Sequence, residues 1–85
     1  MKVLIPTPLR TYTGAHCVAC SGATLAEVLA DLEARFPGIR FRMVDEQGAV
    51  RPHIRLFVQG EQVFDLSRPV RSGEALAIVQ ALSGG

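Results

Sequence analysis

The chain is 85 residues long, with 48% hydrophobic residues, 20% charged residues and a formal net charge of +1. A chain of this length forms one domain with a modest core, so residues 1–85 are expected to be a single unit. The near-neutral charge disfavours nucleic acid and anionic membranes as main partners, because both attract strongly basic surfaces. No apolar run reaches the length of a membrane span, and the first residues lack the features of a signal peptide. The expected location is therefore the cytoplasm.

The first segment of the chain predicts a β-hairpin. Residues 2–9 are rich in apolar and β-branched side chains. Pro6 and Pro8 indicate that this first strand pairs irregularly or ends early. Residues 10–14 have the composition of a turn, and residues 15–21 form the returning strand.

Two cysteines lie in this second predicted strand, in the pattern Cys17-Val18-Ala19-Cys20. The spacing occurs in redox dithiols and in halves of zinc sites. A redox pair favours a helix N-terminus, whereas strand positions three apart face opposite sides. A zinc site needs two further ligands, and the histidines of the chain are His16 and His53. The cysteines are therefore interpreted as ordinary small strand residues, with a zinc or redox role as the alternative.

The next segment predicts one amphipathic helix from Thr24 to about Arg35. Thr24 and Glu27 have the spacing of a capping box, and Pro37-Gly38 ends the helix. Asp31 and Arg35 are spaced to form an ion pair on its outer face. Apolar residues recur at helical spacing and are expected to face the core: Leu25, Val28, Leu29, Leu32 and Phe36.

The second half of the chain predicts two clear strands and one brief one. Residues 39–44 fit either a short strand or a helical turn, and residues 45–48 fit a loop. Residues 53–60 alternate as a strand does, with Ile54, Leu56 and Val58 on the face opposite Arg55 and Phe57.

Residues 59–62 then predict a turn, after which Val63 and Phe64 form the brief strand. The last strand is predicted over residues 75–82. Its alternation should bury Leu76 and Ile78 and expose Ala77 and Val79.

This order of elements predicts an α+β protein of the β-grasp type. Its mixed sheet has four to five strands, and one helix packs across it. The first and last strands lie parallel at the centre of the sheet. The end of the chain is then expected to project from a sheet edge into solvent.

The sequence ends in Leu82-Ser83-Gly84-Gly85. Two glycines add little to a core, because glycine loses the most backbone freedom on ordering. They do supply a flexible tail, residues 82–85, which can enter a narrow channel and present the α-carboxylate of Gly85 to another protein. A frayed terminus or a processing remnant would leave the same dipeptide and is the alternative.

These features resemble the ubiquitin-like sulfur carriers of the MoaD/ThiS type, which include the small subunit of molybdopterin synthase and the carrier for thiamin thiazole synthesis. The opening Ile5-Pro6-Thr7 with Leu9-Arg10 looks most like carriers that serve cysteine synthesis or siderophore thiocarboxylate pathways. The residues that carry the resemblance cover nearly the whole chain: Val3 to Arg10 with Thr13-Gly14, Gly22 to Leu25, Leu56 to Val58, Ser72 to Glu74, and Gly84-Gly85.

The resemblance implies a carrier that is not itself an enzyme. An E1-like enzyme would adenylate Gly85 with ATP, and a sulfurtransferase or sulfide would convert it to a thiocarboxylate. Ser83 and Gly84 would lead Gly85 into a sulfur-accepting enzyme. The implied product is cysteine or a small-molecule thiocarboxylate rather than molybdopterin. The carrier would hold no metal and no cofactor, and ATP would be bound by the partner.

The resemblance also implies a docking surface on the exposed face of the last strand and its neighbour. The matching positions are Phe57, Ala77 and Val79, edged by Arg55. An ordinary half-buried sheet residue is the alternative interpretation of Phe57. Two other functions stay open from the sequence: a ubiquitin-like modifier conjugated through Gly85, and a plain interaction or zinc-binding domain built on Cys17 and Cys20.

Overall fold

The computed structural model of the protein describes residues 1–81. The predicted tail, with Ser83, Gly84 and Gly85, lies outside these described residues. Within them, none of the helices is long and apolar enough to cross a membrane. The elements in chain order are β1 (Lys2–Leu4), a 3₁₀ turn (Thr7–Leu9), α1 (Arg10–Thr13), β2 (Cys17–Ala19), α2 (Leu25–Arg35), α3 (Ile39–Met43), β3 (Ile54–Val58), β4 (Glu61–Val63) and β5 (Ala75–Gln80).

The five strands form one mixed sheet in the order β2-β1-β5-β3-β4. Strands β1 and β5 are parallel, and the other neighbours are antiparallel. The predicted β-grasp sheet, with its first and last strands parallel at the centre, is confirmed. The expectation that the end of the chain projects from a sheet edge concerns residues 82–85, which lie outside the described part of the chain.

The N-terminal hairpin is shorter than predicted. Strand β1 ends at Leu4, and a 3₁₀ turn and α1 occupy positions predicted as strand and turn. The cause is Pro6-Thr7-Pro8, since proline lacks the amide that a strand ladder needs but fits the first turn of a helix. The prediction of a strand over residues 15–21 is likewise too long, because β2 covers Cys17–Ala19.

Helix α2 agrees closely with its prediction. The Thr24 hydroxyl accepts a hydrogen bond from the Glu27 amide at 3.3 Å, and the Glu27 carboxylate accepts one from the Ala23 amide at 2.9 Å. Asp31 and Arg35 form the predicted pair at 2.9 Å. Four of the five predicted apolar residues are fully buried, and Phe36 packs partly buried against them. The helix therefore supplies one layer of the core.

Residues 39–43 form a short helix, α3, which the sequence left undecided between helix and strand. Gly38 precedes it with φ of 98°, a conformation that glycine adopts without strain. The Glu33 carboxylate accepts hydrogen bonds from the Gly38 amide at 2.8 Å and the Arg40 amide at 2.9 Å. Glu33 thus satisfies the first amides of α3, a role that depends on the bend between the two helices.

Strands β3 and β5 show the predicted alternation. Ile54, Leu56 and Val58 are buried, as are Leu76 and Ile78 on the neighbouring strand. These side chains form the inner face of the sheet, against α2. The predicted turn at residues 59–62 is only two residues long, because β4 already begins at Glu61 and ends at Val63. Phe64 lies beyond that strand with 78% of its surface exposed.

Candidate functional site

The end of β5 determines where the tail leaves the domain. Gln80 pairs with Ile54 of β3, and the Ala81 amide donates a hydrogen bond to the His53 carbonyl oxygen at 2.8 Å. This bond extends the β3 and β5 pairing by one residue and holds the base of the tail beside His53. Gly85, the candidate reactive residue, follows four positions later in the sequence.

The four predicted docking residues lie together on the outer face of the sheet, the face opposite α2. Phe57 pairs across strands with Ala77, and Arg55 pairs with Val79. Val79 is 44% exposed, Arg55 is exposed, and Phe57 and Ala77 are half-buried. We call these four residues the docking patch. Its apolar part ends at Val79, immediately before Gln80, so it adjoins the base of the tail.

Arg55 is held along the edge of this patch. Its guanidinium donates hydrogen bonds to the carbonyl oxygens of Pro52 and of Ile54, the latter at 3.4 Å. The positive charge of Arg55 therefore lies beside the outer face, at the end of the sheet where β5 ends.

The outer face also includes Leu4, which sequence reasoning missed. Leu4 is 39% exposed and lies next to Ala77 in the parallel register of β1 with β5. Cys17 lies opposite Leu4 on β2, so it faces the same side. The alternation of Val3 and Leu4 was a usable signal for this face, but its position beside Ala77 depends on the β1 and β5 pairing.

The two cysteines differ in surroundings and both carry free thiols. Cys17 is half-buried on the outer face, whereas Cys20 is 2% exposed and lies in the core. The prediction that both are strand residues is wrong for Cys20, since β2 ends at Ala19. Burial, and next the nearby Asp31 charge, raise the pKa of the Cys20 thiol, which opposes thiolate formation.

Among residues 1–81, no group of three or more His, Cys, Asp and Glu side chains is arranged to hold a metal ion. Cys17 and Cys20 therefore lack further ligands within this part of the chain.

A five-stranded β-grasp sheet whose central strand leads toward a Gly-Gly sequence defines the class of ubiquitin-like proteins. Comparisons with known proteins narrow this class. The sequence profile of the ThiS family matches residues 3–85. The chain therefore belongs to the ThiS family, and the predicted ubiquitin-like sulfur carrier is confirmed.

Individual relatives agree with this assignment. The sulfur carrier protein CysO of Mycobacterium tuberculosis is 36% identical over 91 aligned residues, covering 100% of this chain and 98% of the relative. Small archaeal modifier protein 3 of Haloferax volcanii is 32% identical over 74% of this chain and 71% of its own length. A chain of the Amycolatopsis orientalis BexX/CysO complex superimposes with a TM-score of 0.90 and 39% identity, covering 99% of this chain and 98% of that chain.

Proposed function

We propose that the carboxylate of Gly85 is the sulfur-carrying group of this protein. The observation that carries the proposal is the extent of the family match, which runs from residue 3 through Gly85 and so includes Ser83 and Gly84. The fold supports it, because β5, the central strand of the sheet, ends at Gln80, shortly before these residues in the sequence. The carrier acts with partner enzymes and contributes no catalytic side chain of its own.

The chemistry follows from the poor reactivity of a carboxylate. An E1-like partner binds ATP and directs a Gly85 carboxylate oxygen to the α-phosphorus, so that pyrophosphate leaves and a mixed anhydride forms. Sulfide then attacks the carbonyl carbon, AMP leaves, and the product is a thiocarboxylate. When the sulfur comes instead from the persulfide of a sulfurtransferase, the same attack gives an acyl disulfide, and a thiol that attacks the sulfurtransferase sulfur releases the thiocarboxylate as a new disulfide forms. The carrier itself needs no cofactor, because the partner enzyme binds the ATP. The expected location remains the cytoplasm, where ATP is available.

We place the delivery of the sulfur at an acceptor enzyme for cysteine or for a small-molecule thiocarboxylate, in preference to molybdopterin. The similarity to CysO over the whole chain supports this destination. The two terminal glycines suit this delivery of sulfur, because a segment without side chains can enter an active site from which water is excluded.

We propose that partner enzymes bind the docking patch before they bind the tail. Phe57, Ala77 and Val79 offer an apolar strip at the centre of the outer face, and Arg55 marks its edge. Its position immediately before the tail allows a partner to hold the domain and Gly85 together. The BexX/CysO complex shows that a relative of this chain assembles with a second protein.

Intact-mass spectrometry tests the Gly85 proposal. The protein is incubated with ATP, a sulfide source and an E1-like adenylating enzyme from the same organism, and the expected result is the mass gain of one oxygen replaced by sulfur, located on the C-terminal peptide. A variant lacking Gly85 is the matched control and should show no gain while its melting temperature stays unchanged. A gain on any other peptide, or none at all, contradicts the proposal.

A second candidate function is conjugation of Gly85 to other proteins. The similarity to small archaeal modifier protein 3 favours it. Both functions begin with the same adenylate, and they differ in whether sulfur or a lysine amine displaces AMP. Immunoblots of cell extracts distinguish them, since a modifier gives a ladder of high-mass species that disappears when Gly85 is deleted, and a sulfur carrier gives the free protein alone.

A further inference from the structure

A cluster of aromatic and basic side chains surrounds the point where the chain leaves β5. Gln80 lines a surface groove of about 330 Å³ together with three of these side chains. An adjoining groove is lined by Arg42 and His53, which also line the first groove, and by Phe41 and Arg51. We call the cluster the tail collar, and its members are Tyr12, Phe41, Arg42, Arg51 and His53.

The two arginines of the collar are held in place through Nε. Arg42 Nε donates to the Tyr12 hydroxyl at 2.8 Å. Arg51 Nε donates to the Phe41 carbonyl oxygen at 2.7 Å, and its guanidinium carbon lies 4.6 Å from the centroid of the Phe41 ring. The terminal nitrogens of both side chains make no hydrogen bond with any group in residues 1–81. Guanidinium groups fixed in this way are prepared to bind carboxylates by two parallel hydrogen bonds.

Positive charge in the collar is only partly balanced by the protein itself. The ion pairs within residues 1–81 are Arg35 with Asp31 and Arg68 with Glu74, and neither includes a collar residue. Asp45 is the carboxylate whose pKa the Arg51 charge affects. Its pKa is lowered first by hydrogen bonds from the Ala49 and Gln47 amides and further by the Arg51 charge, but Asp45 forms no ion pair with Arg51 in the described chain.

The length of the tail brings any partner of Gly85 close to the collar. Residues 82–85 span at most about 14 Å when fully extended. Because the Ala81 amide is bonded to His53, an enzyme that holds Gly85 in its active site must bring its surface to within that distance of the collar. The collar is therefore within reach of the enzyme surface around the cleft that receives the tail.

We propose that the tail collar binds a rim of Asp and Glu carboxylates at the mouth of the tail cleft of the E1-like adenylating enzyme. The proposal rests on the function proposed for Gly85. Arg42 and Arg51 supply the charge and the terminal donors, and Phe41, which is 58% exposed, supports the Arg51 plane. Charge complementarity at a rim speeds association and selects the correct partner.

Steady-state kinetics of ATP–pyrophosphate exchange by the organism's own E1-like enzyme tests this proposal. The double variant Arg42→Ala with Arg51→Ala should raise the KM for the carrier roughly tenfold at low salt and leave kcat unchanged. Arg42→Glu with Arg51→Glu should raise it further. The differences should shrink at about 0.5 M salt, where charges are screened within a few ångströms.

The matched control replaces the two arginines that already pair with carboxylates, as Arg35→Ala with Arg68→Ala, and should change KM by less than about twofold. Arg42→Lys with Arg51→Lys keeps the charge without the planar fork and should give an intermediate KM. Circular dichroism of each variant establishes that the domain is folded.

The outcomes separate this proposal from the function proposed for Gly85. If the collar variants keep the wild-type KM while deletion of Gly85 abolishes exchange, the collar proposal is overturned and the role of Gly85 stands. A lower KM in the variants would show that Arg42 and Arg51 bind a carboxylate of the carrier itself in the wild type. That result also overturns the collar proposal. If the wild type supports no exchange, or deletion of Gly85 has no effect, the Gly85 proposal fails and the collar proposal fails with it.

Discussion

At Gly22 the loop before α2 passes directly against the backbone of the helix. A Cβ atom at this position would lie 2.6 Å from the Val28 amide nitrogen and 2.8 Å from the carbonyl carbon of Glu27. Both are backbone atoms of α2, so they cannot move aside as a flexible side chain would. The sequence showed Gly22 only as part of the family resemblance, and the close approach explains why glycine is needed there.

The prediction for this residue is that Gly22→Ala destabilises the protein by about 1–3 kcal/mol, the usual cost of overpacking. Urea unfolding followed by circular dichroism measures the change. An unfolding free energy equal to that of the wild type would show that the loop shifts without cost and that the close approach is not a constraint.

Phe57 and Leu56 are adjacent in β3 but belong to opposite faces of the sheet. Phe57 is half-buried within the docking patch, whereas Leu56 is 1% exposed in the core. Phe57→Ala should weaken binding to the adenylating enzyme more than it lowers stability, and Leu56→Ala should cost about 2–5 kcal/mol of stability. Calorimetric titration and urea unfolding of the two variants measure both quantities. A larger stability loss for Phe57→Ala than for Leu56→Ala would place Phe57 in the core.

At the scale of single elements, α3 depends on a carboxylate from the preceding helix. Hydrogen bonds from the Gly38 amide and then the Arg40 amide lower the pKa of Glu33. A carboxyl whose pKa is lower in the folded state stabilises the protein above its unfolded pKa of about 4.3. That contribution is lost as the pH falls through the lower folded value.

Glu33→Gln should therefore be less stable than the wild type at pH 7, and the difference should shrink as the pH falls from about 5 toward 2. Urea unfolding at several pH values measures it. Glu46→Gln is the matched control, because Glu46 is exposed and its carboxylate accepts no hydrogen bond within residues 1–81. A Glu33→Gln deficit that stays constant with pH would mean that the carboxylate charge is not what supports α3.

At the scale of the whole molecule, stability and the proposed chemistry reside in separate parts. The core lies between α2 and the inner face of the sheet, where Leu29 is 0% and Ile78 is 3% exposed. Gly85 lies beyond the described domain. The separation allows a partner to process the end of the chain without disturbing the fold.

Leu29→Ala and Ile78→Ala should each lower the unfolding free energy by about 2–5 kcal/mol. Both should retain sulfur loading at temperatures where they are folded, since both side chains are buried in the core and neither belongs to the docking patch. Thermal unfolding and the intact-mass assay provide the two measurements. Neutral stability in either variant would contradict the assignment of the inner face.

Local patterns in the sequence predicted α2 with its cap and the faces of β3 and β5, because helix and strand periodicity depend on nearest neighbours along the chain. The grouping of Phe57 with Ala77 and Val79 came from the family resemblance, since it depends on the pairing of β3 with β5. The early end of β1 was visible in Pro6 and Pro8, but the helices that replace the turn were not.

The sequence by itself determined the β-grasp class, the core stripe of α2 and the candidate Gly84-Gly85 tail, because each depends on residue order alone. Only the tertiary structure decided that Leu4 extends the outer face, that Glu33 supports α3, and that Arg42 and Arg51 line one groove with His53. Those groups are far apart in sequence or belong to different elements. Their proximity comes from the pairing of β1 with β5, from the bend between α2 and α3, and from the packing of α3 beside the segment before β3. No local periodicity predicts these contacts.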